Sequence, residues 1–256
     1  MTILSQHLAN LTREEKITLL EALDAYDEKV RYNKKDYLFP DTGPLRRELY
    51  VRHLEFFRAT KTFSEVAFIA ASRSGKSYAG CYADSCWLTG EYPDWWEGKV
   101  FDDPITLWAS AVTNQKVKES IQDTLFGKTG DLGTGIIPKR CIDFDSIRYY
   151  HGTDVIEDCY IYWRGSKKQR SKLTFKSYKQ EVMAYESSDV NVCHSDEEVP
   201  EDIYTACLAR TATNSGLNIL TFTPLHNLTS LVKQFLPGGR FPPGGSGSVD
   251  APHVRV

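Results

Sequence analysis

The residues most able to do chemistry lie at Ala70-Ala71-Ser72-Arg73-Ser74-Gly75-Lys76-Ser77, directly after the apolar run Glu65-Val66-Ala67-Phe68-Ile69 and at the opening of a helical stretch over residues 76–88. A strand, a tight loop and a helix N-terminus in that order aim backbone N–H groups at a phosphate. Gly75 lets the backbone approach, Lys76 reaches β/γ-phosphate oxygens, and the Ser77 hydroxyl suits Mg²⁺. Ser72, Arg73 and Ser74 complete the loop, with Arg73 adding a permanent charge. The first glycine of the G-x-x-x-x-G-K-[ST] pattern is replaced by Ala70. The bland alternative, an incidental Gly-Lys-Ser at a helix start, does not explain the preceding buried strand.

Phosphoryl transfer to water also needs a metal-binding acid and a base beside it. The stretch 189–195 leads into Asp196-Glu197-Glu198-Val199-Pro200, so Asp196 is the expected metal partner and Glu197 the expected activator of water. This strand is unusually polar, with Asn191 and His194 interrupting it. A third strand ends at Thr221-Phe222-Thr223-Pro224, where period-two spacing puts Thr221 and Thr223 on one face.

The elements around these residues alternate. Strands over 65–71, 105–112 and 217–223 and helices over 76–88, 114–126 and 201–213 predict an α/β fold with a mostly parallel sheet and helices on both faces. Residues 11–31 read as an amphipathic helix opened by a capping box at Thr12 and packing on a core or a partner; residues 33–44 read as a loop, and 45–59 as a second helix. Residues 158–163 and 173–178 read as a hairpin insert whose tip carries Lys167, Lys168 and Arg170. The expected division is an N-terminal helical segment (1–44), a P-loop domain (45–236) and a Gly/Pro-rich linker (237–256).

Composition narrows the classes. Among 256 residues, 41% are hydrophobic and 25% charged, so the chain can build a core. It has no apolar run long enough to span a bilayer and no leader pattern, so a cytosolic location is expected. Six scattered cysteines form neither a zinc pattern nor a disulfide framework. A net charge of −3 excludes a surface basic all round and leaves only local contact with nucleic acid.

Over residues 11–236 the chain resembles the N-terminal ATPase domain of the large terminase subunit of tailed bacteriophages. The resemblance rests on the loop ASRSGKS, the segment Trp87-Leu88-Thr89-Gly90-Glu91-Tyr92-Pro93-Asp94-Trp95-Trp96-Glu97-Gly98, Gly133-Thr134-Gly135-Ile136-Ile137-Pro138, SDEEVPEDIY at 195–204 and LTFTPL at 220–225. It implies a P-loop NTPase of the additional-strand, conserved-glutamate type, using ATP and Mg²⁺ to move double-stranded DNA through sequence-independent backbone contacts. It also implies a homo-oligomeric ring on a portal protein, a small terminase subunit as partner, no membrane, and the host cytoplasm as location. Arg73 would touch phosphates in cis, and Thr221 to Thr223 would couple hydrolysis to motion. Where many members carry a trans-acting arginine, this chain has Tyr185. Arg210 is the substitute as a trans or sensor arginine, with a helix-end structural arginine as the other reading. Tyr50 and His53 occupy the adenine side, or are plain helix residues. A nuclease domain follows the ATPase in family members and is not expected from this stretch. The competing readings are another P-loop motor such as a helicase, and a non-catalytic docking module with a degraded loop.

Overall fold

The computed structural model describes residues 11–186, 188–224, 229–236 and 254–255. The predicted linker therefore lies almost wholly outside the described residues, as does Leu225.

Helix α1 (Arg13–Tyr32) starts with the expected capping box: the Thr12 hydroxyl accepts from the Glu15 backbone N–H, and the Glu15 carboxylate accepts from the Thr12 backbone N–H at 2.7 Å. None of its residues is buried. The apolar stripe Ile17, Leu20, Leu23 and Tyr26 faces outward, so the expected packing on this chain's core does not occur. The helix is tied down at its last turn, where Arg31 pairs with Asp131 at 2.7 Å and the Lys139 ammonium sits 3.9 Å from the centre of the Tyr32 ring. Residues 34–40 then fold back onto the body, and Phe39 enters the core.

The remaining elements are α2 (Val51–Thr62), β1 (Glu65–Ile69), α3 (Lys76–Thr89), β2 (Thr106–Ala111), α4, β3 (Ile142–Tyr149), β4 (Ile156–Trp163), β5 (Ser166–Ser177), β6 (Val192–Asp196), α5 (Glu201–Ala212), β7 (Leu217–Phe222), α6 (Ser230–Gln234) and β8 (Val254–Arg255). Helix α2 begins later than its periodicity suggests, after a short 3₁₀ turn at Arg47–Leu49. Helix α4 runs from Asn114 to Phe126 through a π turn at Val117–Gln122, a feature common beside functional sites.

One sheet carries all the described strands in the order β3-β4-β5-β2-β6-β7-β1-β8. From β5 to β8 every neighbouring pair is parallel, and β3 and β4 add an antiparallel edge. Strand β7 lies between β1 and β6, which is the additional strand that the resemblance implies. The sheet has a core on each face because strand side chains alternate: Val66, Phe68, Leu217 and Ile219 join Phe56, Phe57, Tyr82 and Trp87 on one face, and Ala67, Leu220 and Phe222 join Ile203, Tyr204 and Leu231 on the other. Each of the large side chains among these stabilises the fold by roughly 1.5–3 kcal/mol through burial.

The hairpin differs from the sequence reading. Its turn is only Arg164-Gly165, both with positive φ (48° and 69°), as a tight two-residue turn with the sheet's twist requires. Lys167, Lys168 and Arg170 therefore lie on β5, not at a tip, and Arg170 is engaged with Asp143 at 2.7 Å. The far half of β5 pairs with β2, so this segment widens the main sheet.

Candidate nucleotide site

The loop 70–75 leaves β1 at the carboxyl edge of the parallel strands, where open α/β sheets bind ligands. The Ala70 N–H still donates to the Phe222 carbonyl at 3.3 Å, so this residue continues the ladder. Ala70 is not among the residues with positive φ, so an alanine fits the place usually held by glycine. Gly75 is needed on two counts. Its φ is +82°, and a Cβ there would lie 3.0 Å from His53 Nε2. Arg73 also has a left-handed backbone (φ 63°), and its side chain has no partner among the described residues. Lys76 is buried on the first turn of α3, making one long contact (3.4 Å) with the Ala71 carbonyl.

Asp196 ends β6, 2% exposed, and its Oδ1 accepts from the Ser77 hydroxyl at 2.7 Å and from the Thr221 hydroxyl at 2.7 Å. Glu197 follows with φ 68°, its N–H donating to the Thr221 carbonyl at 2.9 Å. A non-glycine residue in that region is held there by its surroundings at a cost of order 1–3 kcal/mol. Burial first, and the neighbouring Asp196 charge second, push the Glu197 carboxyl above its usual range, against the opposing charges of Lys76 and Lys116.

These groups border a cleft of about 670 Å³ shared by Ser77, Asp196, Glu197, Thr223, Lys116 and Glu119. Thr221 is buried beside Asp196, and Thr223, one residue past the end of β7, lines the cleft wall. Across the loop is a second cavity of about 370 Å³, where Tyr50 and His53 meet Arg73, Ser74 and Gly75 over Phe39. Burial pushes the His53 imidazole below its ordinary range. Arg210 does not join the site: its carbonyl accepts from the Val190 N–H, two residues before the end of β6 remote from Asp196. Tyr185 is a core residue, edge-on to Trp108 at 5.9 Å.

Among the described residues no group of three or more His, Cys, Asp or Glu is placed to hold a metal. The Ser77 hydroxyl and Asp196 carboxylate nonetheless suit magnesium, which keeps several waters and takes its other oxygens from bound phosphates.

Sequence reading missed four residues. The Tyr178 hydroxyl lies 3.0 Å from the Asp196 carbonyl and 3.3 Å from that of Glu197, bracing the strained turn. Lys116 faces the cleft from α4. His194 Nε2 lies 3.0 Å from Thr221 Oγ1, and its Nδ1 is 2.6 Å from Asp84 Oδ2 on α3, all fully buried. Burial raises the Asp84 pKa. It also works against the imidazolium, yet the Asp84 charge and hydrogen bond prevail and leave the His194 pKa raised. The only signal in the chain was polarity: His194 stood out in its strand, and Asn191, whose side chain accepts from the Thr106 N–H at 2.8 Å, stood out with it.

Gly80 on α3 makes room for this histidine. A Cβ there would lie 2.5 Å from His194 Cε1 and 2.6 Å from Nε2. Helix propensity alone would make Gly80→Ala stabilising by about 1 kcal/mol. Overpacking opposes it by about 1–3 kcal/mol, so a net fall in Tm of several degrees is expected in thermal unfolding. A rise in Tm would mean that the histidine is not seated against α3.

A parallel sheet with a phosphate-type loop after β1, an acidic pair after β6 and a strand between them defines an α/β P-loop NTPase of the additional-strand type. Residues 67–245 match the family described as "Terminase large subunit, T4likevirus-type, N-terminal". The chain is 30% identical over 261 residues to the large subunit of the terminase of Salmonella phage P22, covering 90% of this chain and 48% of that protein. The chain thus spans about half the length of the curated relative it matches. It belongs to the terminase large-subunit family. The solved large terminase of a thermophilic bacteriophage matches with a TM-score of 0.44 and 14% identity, over 68% of this chain and 37% of that one. A crystal form of the same phage protein in complex with ADP matches with a TM-score of 0.43 and 12% identity, over 72% and 47%.

Proposed function

We propose that this chain is the ATP-hydrolysing motor part of a phage large terminase, which drives double-stranded DNA into a prohead. The observation that carries the reading is the single Asp196 oxygen shared by Ser77 of the loop helix and Thr221 of the additional strand, at the foot of the cleft that Glu197 borders. Ser72 to Ser77 would cradle the phosphates, with the base against Tyr50 and His53 in the aromatic cavity. Magnesium held by Ser77 and Asp196 would offset charge on the phosphate oxygens. Glu197 takes a proton from the attacking water as the water oxygen bonds to the γ-phosphorus. The bond from that phosphorus to the bridging oxygen breaks, leaving ADP and phosphate. Lys76 and Arg73 stabilise the charge that spreads over the transferring group. Thr221 and Thr223 pass the change at the phosphates to the sheet.

The partners follow from family membership: a portal protein, a small terminase subunit and a ring of copies of this chain, in the host cytoplasm. Arg210 enters the chemistry only if a neighbouring copy presents it. Lys167 and Lys168, exposed on β5, would meet the DNA backbone. Among the described residues no helix is long and apolar enough to cross a membrane.

The test is Mg-ATP binding and hydrolysis by the 256-residue chain, with and without double-stranded DNA, and with magnesium chelated. Magnesium-dependent binding and turnover are expected. Absence of nucleotide binding at millimolar ATP would leave the docking-module reading as the better one.

A further inference from the structure

Four buried side chains form one hydrogen-bonded line, Asp84 to His194 to Thr221 to Asp196, and Ser77 closes it from the other side. Its direction can be deduced. Thr221 has a single hydroxyl hydrogen, and that hydrogen is given to Asp196 Oδ1. The 3.0 Å contact from His194 Nε2 must then be an N–H donated to Thr221 Oγ1. With Nε2 protonated, one proton is shared between Nδ1 and Asp84 Oδ2 across their 2.6 Å contact. A carboxylate facing an imidazolium leaves Nε2 protonated, and so does a protonated Asp84 donating to Nδ1 of a neutral ring.

Resting on the ATPase reading, we propose that His194 is a positioning residue. By donating from Nε2 it fixes the Thr221 hydroxyl that holds the Asp196 carboxylate, and Asp84 holds the ring in place through Nδ1. The line joins three elements, since Asp84 and Ser77 lie on α3, His194 and Asp196 on β6, and Thr221 on β7. A shift of α3 against the sheet would therefore be felt at Asp196 from both sides. His194 and Asp196 are two apart on one strand and share a face, so the ring sits directly beneath the carboxylate.

Nitrogen-15 spectra of histidine-labelled full chain read the first claim without any activity. A protonated Nε2 on His194 is expected, and an unprotonated Nε2 would overturn the proposal. Kinetics read the second. His194→Phe keeps an aromatic ring and loses the donor, and Thr221→Val keeps the shape and loses the hydroxyl. Each is expected to lower kcat at saturating Mg-ATP by about tenfold or more. Because one acts through the other, the double variant should be no slower than the slower single variant. Multiplying effects would show that the histidine acts by another route. Asp84→Leu should lower kcat as His194→Phe does, and Asp84→Asn should recover most of it, because the amide can donate to Nδ1 and leave Nε2–H in place. Asp84→Asn as slow as Asp84→Leu would remove Asp84 from the proposal. If the unmodified chain hydrolyses no ATP, the ATPase reading fails while the spectra still decide the state of His194.

Discussion

Glu197→Gln is expected to reduce ATP turnover by about 10²–10⁴-fold while leaving Mg-ATP affinity within a few-fold of the unmodified chain. The amide has nearly the same length and volume as the carboxylate and cannot take a proton from water. Phosphate and magnesium contacts come from other residues, so binding should persist. Stability supplies a second readout with a definite sign. The carboxyl is held above its ordinary range by burial and by Asp196, so its charged form is disfavoured in the fold. Removing the charge should leave Tm unchanged or raise it. Calorimetric binding, steady-state hydrolysis and thermal unfolding of the pair of proteins test this together. Turnover within tenfold of the unmodified chain would show that another group serves as the base.

Lys76→Ala is expected to act in the opposite place, weakening nucleotide binding by about 100-fold, equivalent to roughly 2.8 kcal/mol at 1.4 kcal/mol per tenfold. The side chain is buried at the start of α3, yet its one hydrogen bond is a 3.4 Å contact with the loop's own Ala71 carbonyl. A contact that long adds little to the fold, so Tm should move by only a few degrees. The ammonium is thus only weakly held by the protein and is available to a phosphate. Affinity of Lys76→Ala for ATP should fall at least as far as its affinity for ADP, because the lysine reaches toward the outer phosphates. Equal affinity of variant and unmodified chain would place the nucleotide elsewhere, and the cleft of about 670 Å³ would then need another occupant.

Legibility followed sequence distance. The loop 70–77, the pair Asp196-Glu197 and the pair Thr221 and Thr223 are each contiguous or two apart, and a local pattern displays them. The capping box of α1 was equally readable, because Thr12 and Glu15 satisfy each other within one turn. The helix's apolar stripe did not foretell its packing, since periodicity reports which face is apolar and not what covers it. The hairpin was found but its tip was misplaced, because positive φ at Arg164 is not written in the identity of an arginine. Tyr178 and Lys116 carry no signal of their own, as tyrosines and lysines at element ends are common.

The sequence by itself determined the local pattern: a loop of phosphate-cradle type before a helix, an acidic pair at a strand end and the strands that lead to them. Only the tertiary structure decided how these parts are locked together. Asp84 and His194 are 110 residues apart and Ser77 and Asp196 are 119 apart, and neither pairing exists until the fold brings α3 against β6. Buried polar groups must find partners wherever the fold brings them, and that requirement turned an odd histidine in a strand into the support of the site.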